Sequence, residues 1–310
     1  MNTKTEKVYH ELDRRSFLRH ATLAATALVT SSAWAEELYK KNNIRIGYSS
    51  ITWGGKDEQA IKDLAALGYK GVQLRANTFG PYRNKVSELR QLLTENGLQL
   101  CMFSSGNVDI DPAKESSTID THVAHASFVK ALGGSSLQLT NSARPKDRAP
   151  STEELKRLAT VMNEIGKQTA DMGVQAVYHN HMHQLGETPE EIDVIVQAMD
   201  PRYVKLLLDI AHYKQGGGEP EKAVLKYKDM IHALHLKDTK PADTKNGYKF
   251  VELGQGRVDV PAVFKALNKI NFNGWAVVEL DGVPDPSKTP RECAIINKNY
   301  ITQTLRHPLI

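Results

Sequence analysis

Two cysteines in 310 residues leave no disulfide framework to build on. Cys101 lies inside an apolar, strand-like run, so a buried thiol is expected there rather than a bridge to Cys293. Charge of one sign is also scarce. The formal net charge is +4. The first 35 residues carry Lys4, Lys7, Arg14, Arg15 and Arg19 against Glu6, Glu11 and Asp13, so the remainder carries about +2. That excludes the clustered basic face of a nucleic-acid binder. No membrane span is expected: the apolar stretch at 21–29 is rich in Ala and Thr and falls short of the ~20 residues a bilayer requires. A Gly-x-Gly-x-x-Gly motif is missing after the first strand-like run, which argues against a dinucleotide fold. The lone Gly254-Gln255-Gly256 reads as a turn. Linkers and low-complexity stretches are absent from 36 onward, which points to one domain.

What is present begins with a targeting signal. Asp13-Arg14-Arg15-Ser16-Phe17-Leu18-Arg19 is a twin-arginine motif, and Ala33-Trp34-Ala35 supplies small residues before a cut at Glu36. Residues 1–35 are therefore expected to be a signal peptide read by the twin-arginine export machinery. Residues 36–310 would be the mature protein, in the periplasm or cell envelope.

From there strand-like and helix-like patterns alternate. Strands are expected at 44–50, 71–75, 98–104, 136–140, 175–180, 204–210, 231–237 and 275–281. Helices are expected near 58–67, 85–96, 119–132, 153–172, 189–199, 219–227 and 261–270, with a last one over 290–305. Asn96-Gly97 and Met172-Gly173 supply helix C-caps, and Thr188-Pro189-Glu190-Glu191 a helix start. Eight strand–helix pairs predict an α/β fold, a single-domain (β/α)8 TIM barrel.

Four of the strands end in groups that bind metals: His179, Asp209, His235 and Glu279. Strand C-termini converge on one mouth of such a barrel, so the four form a candidate site for one divalent cation. Mixed imidazole and carboxylate donors suit Mn2+, Zn2+, Co2+ or Fe2+; Mg2+ and Ca2+ prefer all-oxygen shells, although Mg2+ stays open. Asp209, after three leucines, must be neutralised either by a cation or by a helix N-terminus. Glu279 is either a ligand or the partner of a Lys or Arg. His181 is expected in the site and His183 in the following loop; His212 is close enough to face the same pocket. His232 falls on the opposite strand face from His235. Lys237 either binds a substrate oxygen or pairs with Asp238.

At these residues the chain resembles the xylose isomerase-like sugar phosphate isomerase/epimerase superfamily, and in particular its inosose dehydratase-like members. The resemblance rests on Tyr178-His179-Asn180-His181, Leu208-Asp209-Ile210-Ala211-His212, Leu234-His235-Leu236-Lys237-Asp238 and Val277-Val278-Glu279. It also takes in the approach to the last strand, Leu253-Gly254-Gln255-Gly256-Arg257-Val258-Asp259 and Asn273-Gly274-Trp275. It implies a metal, often Mn2+, held by His179, Asp209, His235 and Glu279, with His212 on the substrate. It also implies an enzyme that moves a proton beside the carbonyl of a keto-sugar or keto-polyol. Ketose 3-epimerases of the family carry Glu at the strand 5 position where this chain has His179. Glu279 is then the single carboxylate base of that pair, and His181 becomes the second acid/base, its unperturbed pKa near 6.5 suiting the work. That combination favours dehydratase chemistry, with an epimerase or isomerase as the alternative and a sugar-binding barrel without catalysis as another. The expected partner is a small sugar or polyol; a homo-oligomer stays open.

Overall fold

The computed structural model describes residues 43–309; the signal peptide expected over 1–35 lies outside the described residues. Among those described, ten strands form in chain order: β1 (Ile44–Ser49), β2 (Gly71–Arg75), β3 (Gln99–Asn107), β4 (Ser136–Thr140), β5 (Gln175–His179), β6 (Val204–Asp209), β7 (Ile231–Leu236), β8 (Asp238–Pro241), β9 (Tyr248–Val251) and β10 (Gly274–Val278). Eight of them close into a parallel barrel in the order β1-β10-β7-β6-β5-β4-β3-β2, while β8 and β9 form a separate antiparallel hairpin. The (β/α)8 expectation is met, and each expected strand is found within a few residues of its bounds.

β6 shows why an apolar run becomes an interior strand. Leu206 and Leu208 face the helices within the large outer core, while Leu207 faces the barrel axis beside Val177, Ala233, Trp275 and Val277. Both faces are buried, so nothing in the strand needs to be polar until its end. Each leucine so buried contributes roughly 1.5–3 kcal/mol. Trp275 fits inside because β2 starts with glycine: a Cβ on Gly71 would lie 2.5 Å from the indole. Cys101 packs in the same interior, free and buried, as does the free Cys293 elsewhere.

The helix signals act as read. Thr188 caps the helix Pro189–Ala198, and Gly97 takes the left-handed conformation (φ 62°) after Val86–Glu95. Unanticipated are the helices Ala76–Tyr82 and Ile210–Gln215 and the β8–β9 hairpin. The hairpin is held by Asp238, whose carboxylate accepts backbone N–H bonds from Thr239, Gly254, Gly256 and Val258. Gly254 and Gly256 thus serve a turn around that acid. No helix among the described residues is long and apolar enough to cross a membrane.

Candidate metal centre

Sequence order and barrel closure together bring the four expected ligands to one point. His179 ends β5, Asp209 ends β6, His235 is one residue before the end of β7, and Glu279 follows β10 with its N–H on Leu236 O at 3.0 Å. Asp209 pairs with His235 across β6–β7, and His235 with Val277 across β7–β10. Their donor atoms all lie within 4.8 Å of one another, and all four residues are buried. His235 Nδ1 is 3.2 Å from His179 Nε2, 3.5 Å from Asp209 Oδ2 and 3.1 Å from Glu279 Oε2. His179 Nε2 is 3.4 Å from Asp209 Oδ2. Donors around a four-coordinate ion with bonds near 2.1 Å stand roughly 3.3–3.5 Å apart, close to these four distances.

The protonation states suit a cation as well. Burial pushes the His179 ring down to about 4, leaving it neutral as a ligand must be. Burial also works against charge on His235, but Glu279 and Asp209 lift it to about 9. A proton there occupies the place a metal ion would take. The Asp209 carboxyl stays well below the usual range: burial opposes its charge, and His212, Lys237 and the two ligand imidazoles outweigh that. Of the two partners expected for Asp209, the structure shows the helix N-terminus. Oδ1 accepts from the N–H groups of Ala211 and His212 at 2.9 Å each, capping the helix Ile210–Gln215, while Oδ2 faces the imidazoles.

Two glutamines absent from the sequence reading orient the ligands. Gln73, on β2, accepts from His235 Nε2 at 2.9 Å and donates to Glu279 Oε1 at 3.0 Å. His235 Nδ1 is thereby left to the centre. Gln138, on β4, lies 3.2 Å from His179 Nδ1, and its buried Oε1 has no partner. Turning that carboxamide over lets Oε1 accept the Nδ1–H, the tautomer that frees Nε2 for a metal. The residues present therefore fit a divalent ion.

A second layer covers the cluster. Lys237 is fully buried and stays charged, well above the usual lysine range: burial opposes this, and Asp281, Glu279 and Asp209 prevail. Its Nζ is 2.6 Å from Asp281 Oδ1, 3.1 Å from Glu279 Oε2 and 4.3 Å from the centre of the Phe250 ring on β9. It pairs with Asp281 and Glu279 rather than with the expected Asp238, and Glu279 in turn has the lysine partner that was one of its two expectations. The His181 and His212 rings lie against each other with centroids 3.9 Å apart and a tilt of 37°. One residue sets opposite tautomers in them. The Met182 N–H donates to His212 Nδ1 at 3.2 Å, and Met182 O accepts from His181 Nδ1 at 2.7 Å. His212 thus carries its proton on Nε2, 3.8 Å from Asp209 Oδ2, whereas His181 Nε2 is a free acceptor among the described residues. Burial, then Lys237, hold the His181 ring below its ordinary value.

The remaining candidates lie elsewhere. His183 turns to Glu187 and Tyr248. His232 sits at the opposite mouth, 2.9 Å from Ser136 Oγ, in a recess of about 540 Å³ that includes none of the site residues.

The Xylose isomerase-like TIM barrel family matches residues 61–298. An inosose dehydratase from Clostridium botulinum (strain Alaska E43 / Type E3) is 29% identical over 302 residues, covering 86% of this chain and 99% of that one. Among solved structures, the IOLI protein with a bound zinc atom is similar at a TM-score of 0.72 and 18% identity, over 84% of this chain and 98% of that one. The probable 3-DHS dehydratase AsbF of Bacillus anthracis, involved in petrobactin synthesis, is similar at a TM-score of 0.68 and 16% identity, over 84% and 99%. At such identities the two structures speak for the fold alone.

Proposed function

Because the chain belongs to the xylose isomerase-like TIM barrel family, we propose that it is a divalent-metal-dependent dehydratase acting on a keto-polyol. It is an enzyme of the sugar-modifying dehydratase/isomerase kind. The observation that carries the finer reading is the division of labour above: four buried donors within 4.8 Å of one another, with a neutral imidazole acceptor, His181 Nε2, beside them. His179, Asp209, His235 and Glu279 would hold the ion, Mn2+ being our first choice. When bound it would polarise the ketone and fix the adjacent oxygen.

The chain's own groups supply the rest. His212 Nε2–H and the Lys237 ammonium donate to substrate oxygens and orient the ring. His181 Nε2 takes the proton from the carbon next to the carbonyl. The electron pair left behind forms the carbon–carbon double bond as the β-hydroxyl departs, and the proton taken up by His181 passes to that oxygen to complete one water. Glu279 has Oε1 on Gln73 and Oε2 on Lys237, which favours His181 over it as the mobile base and leaves Glu279 as ligand. Phe250 and the β8–β9 hairpin keep bulk water from this step.

Reconstituted enzyme incubated with inosose in D2O tests the reading. Deuterium at the α-carbon together with an ultraviolet-absorbing unsaturated product supports it; a saturated epimer with no water lost refutes it. We also propose that the twin-arginine signal exports the folded barrel to the cell envelope. N-terminal sequencing of the exported protein should then begin near Glu36.

A further inference from the structure

Arg75 is the last residue of β2, two positions beyond Gln73 and therefore on the same, inward strand face. Residues so spaced are about 6.6 Å apart along a strand. Since Gln73 touches both His235 and Glu279, Arg75 stands one step from the ligand cluster toward the mouth. Across the sheet it pairs with Ser104 of β3, and Ser104 with Gln138, the residue behind His179. Arg75 thus belongs to the β1–β3 wall of the chamber, opposite the wall that carries Lys237 and His212.

That wall is shaped as a recess of about 280 Å³, lined by Gly54, Gly55, Arg75, Asn77, Ser104 and Gly106. Three of these positions are glycines in the left-handed region, at φ 62°, 95° and 98°, and so put no side chain into the space beside the arginine. No acid lines the recess. Arg144, Arg148 and Arg202 each hold a carboxylate on the surface; the Arg75 guanidinium holds none among the described residues. A planar, permanently charged fork beside empty space and a serine hydroxyl is suited to a bidentate oxyanion.

We propose that this recess is an oxyanion subsite, in which Arg75 receives the carboxylate or phosphate of a substrate whose keto-diol end lies at the four-ligand cluster. The assignment of the reacting end rests on the function proposed above; the subsite itself rests on the recess. It selects anionic ring ketones over neutral ones.

Calorimetric titration of the metal-free full chain with shikimate, inorganic phosphate and myo-inositol tests the subsite without turnover. Shikimate or phosphate should bind at least tenfold tighter than neutral inositol, and Arg75→Gln should remove most of that preference. The stronger of the two anions identifies the oxyanion. Arg75→Lys should keep part of the preference. Equal binding of inositol, or a preference untouched in Arg75→Gln, overturns the proposal. A parallel rate assay on metal-loaded enzyme compares a ring keto-carboxylate, 3-dehydroshikimate, with inosose. If Arg75-dependent anion binding is found while neither ketone reacts, the subsite stands and the dehydratase reading falls. If inosose reacts and anion binding ignores Arg75, the reverse holds.

Discussion

Gln73 Oε1 accepts from His235 Nε2 at 2.9 Å, and this one bond decides which nitrogen of a buried ligand faces the centre. The same carboxamide donates to Glu279 Oε1 at 3.0 Å and to Ser49 Oγ at 3.2 Å, tying β1, β2, β7 and the end of β10 together. Groups behind a metal ligand set its tautomer and basicity.

Gln73→Ala should therefore weaken the divalent ion by about 10- to 100-fold, the usual range for loss of such a support. Chelator competition at fixed pH measures it. An affinity equal to wild type would show that packing alone aims His235 and Glu279.

The raised value of His235 gives two signs to check. A metal must displace the His235 proton, so apparent affinity should climb up to tenfold per pH unit toward about 9 and level off above. In metal-free protein the folded value exceeds the ordinary one. The stability linked to it is complete below about 6.5 and is lost as pH rises through about 9. Melting curves of the metal-free protein should fall over that window, while those of metal-loaded protein, with the proton already gone, should not. Parallel curves for both forms would remove His235 from the site.

Much of this was legible because four of the barrel strands change character abruptly at their C-terminal ends. Leu206-Leu207-Leu208 is apolar on both faces, so Asp209 stands out, and four such endings in series specify a mouth. Gln73 and Gln138 gave no such signal. Their importance comes from contacts across the barrel, Gln73 to Glu279 spanning 206 positions, and an amide in a strand is unremarkable by itself. The Met182 backbone that sets the two imidazole tautomers is invisible to side-chain patterns for a stronger reason: any residue except proline supplies the same N–H and C=O. The helix Ile210–Gln215 was legible only as one of the two partners open to Asp209, because six residues are too few to show a helical period. The hairpin depends on Asp238 gathering backbone N–H groups from residues up to 20 positions away.

Lys237 compensates three carboxylates, of which Asp209 and Glu279 are buried with it. Lys237→Met should destabilise metal-free protein by about 3 kcal/mol, as expected when a buried charge loses its partner. Saturating divalent ion should restore part of that loss, because it binds only the folded form and supplies positive charge at the same carboxylates. Urea denaturation with and without metal reads both. A variant as stable as wild type without metal would mean that the carboxylates are solvated or protonated, contrary to the geometry.

His181→Ala separates a chemical role from a structural one. His181 Nδ1 is committed to Met182 O and Nε2 bears the free electron pair, so removal of the ring takes away a base but no metal ligand. Metal content should stay at wild-type level while kcat falls about 10²- to 10⁴-fold, the usual contribution of a positioned acid/base. Burial and Lys237 hold the ring below its ordinary value, so the wild-type rate should be flat near neutrality and fall only on the acid side, as the base becomes protonated. The variant should lose that acid limb together with α-carbon deuterium exchange. An active His181→Ala enzyme that keeps the acid limb and yields a clean epimer would transfer the base to Glu279 and the reaction to epimerisation.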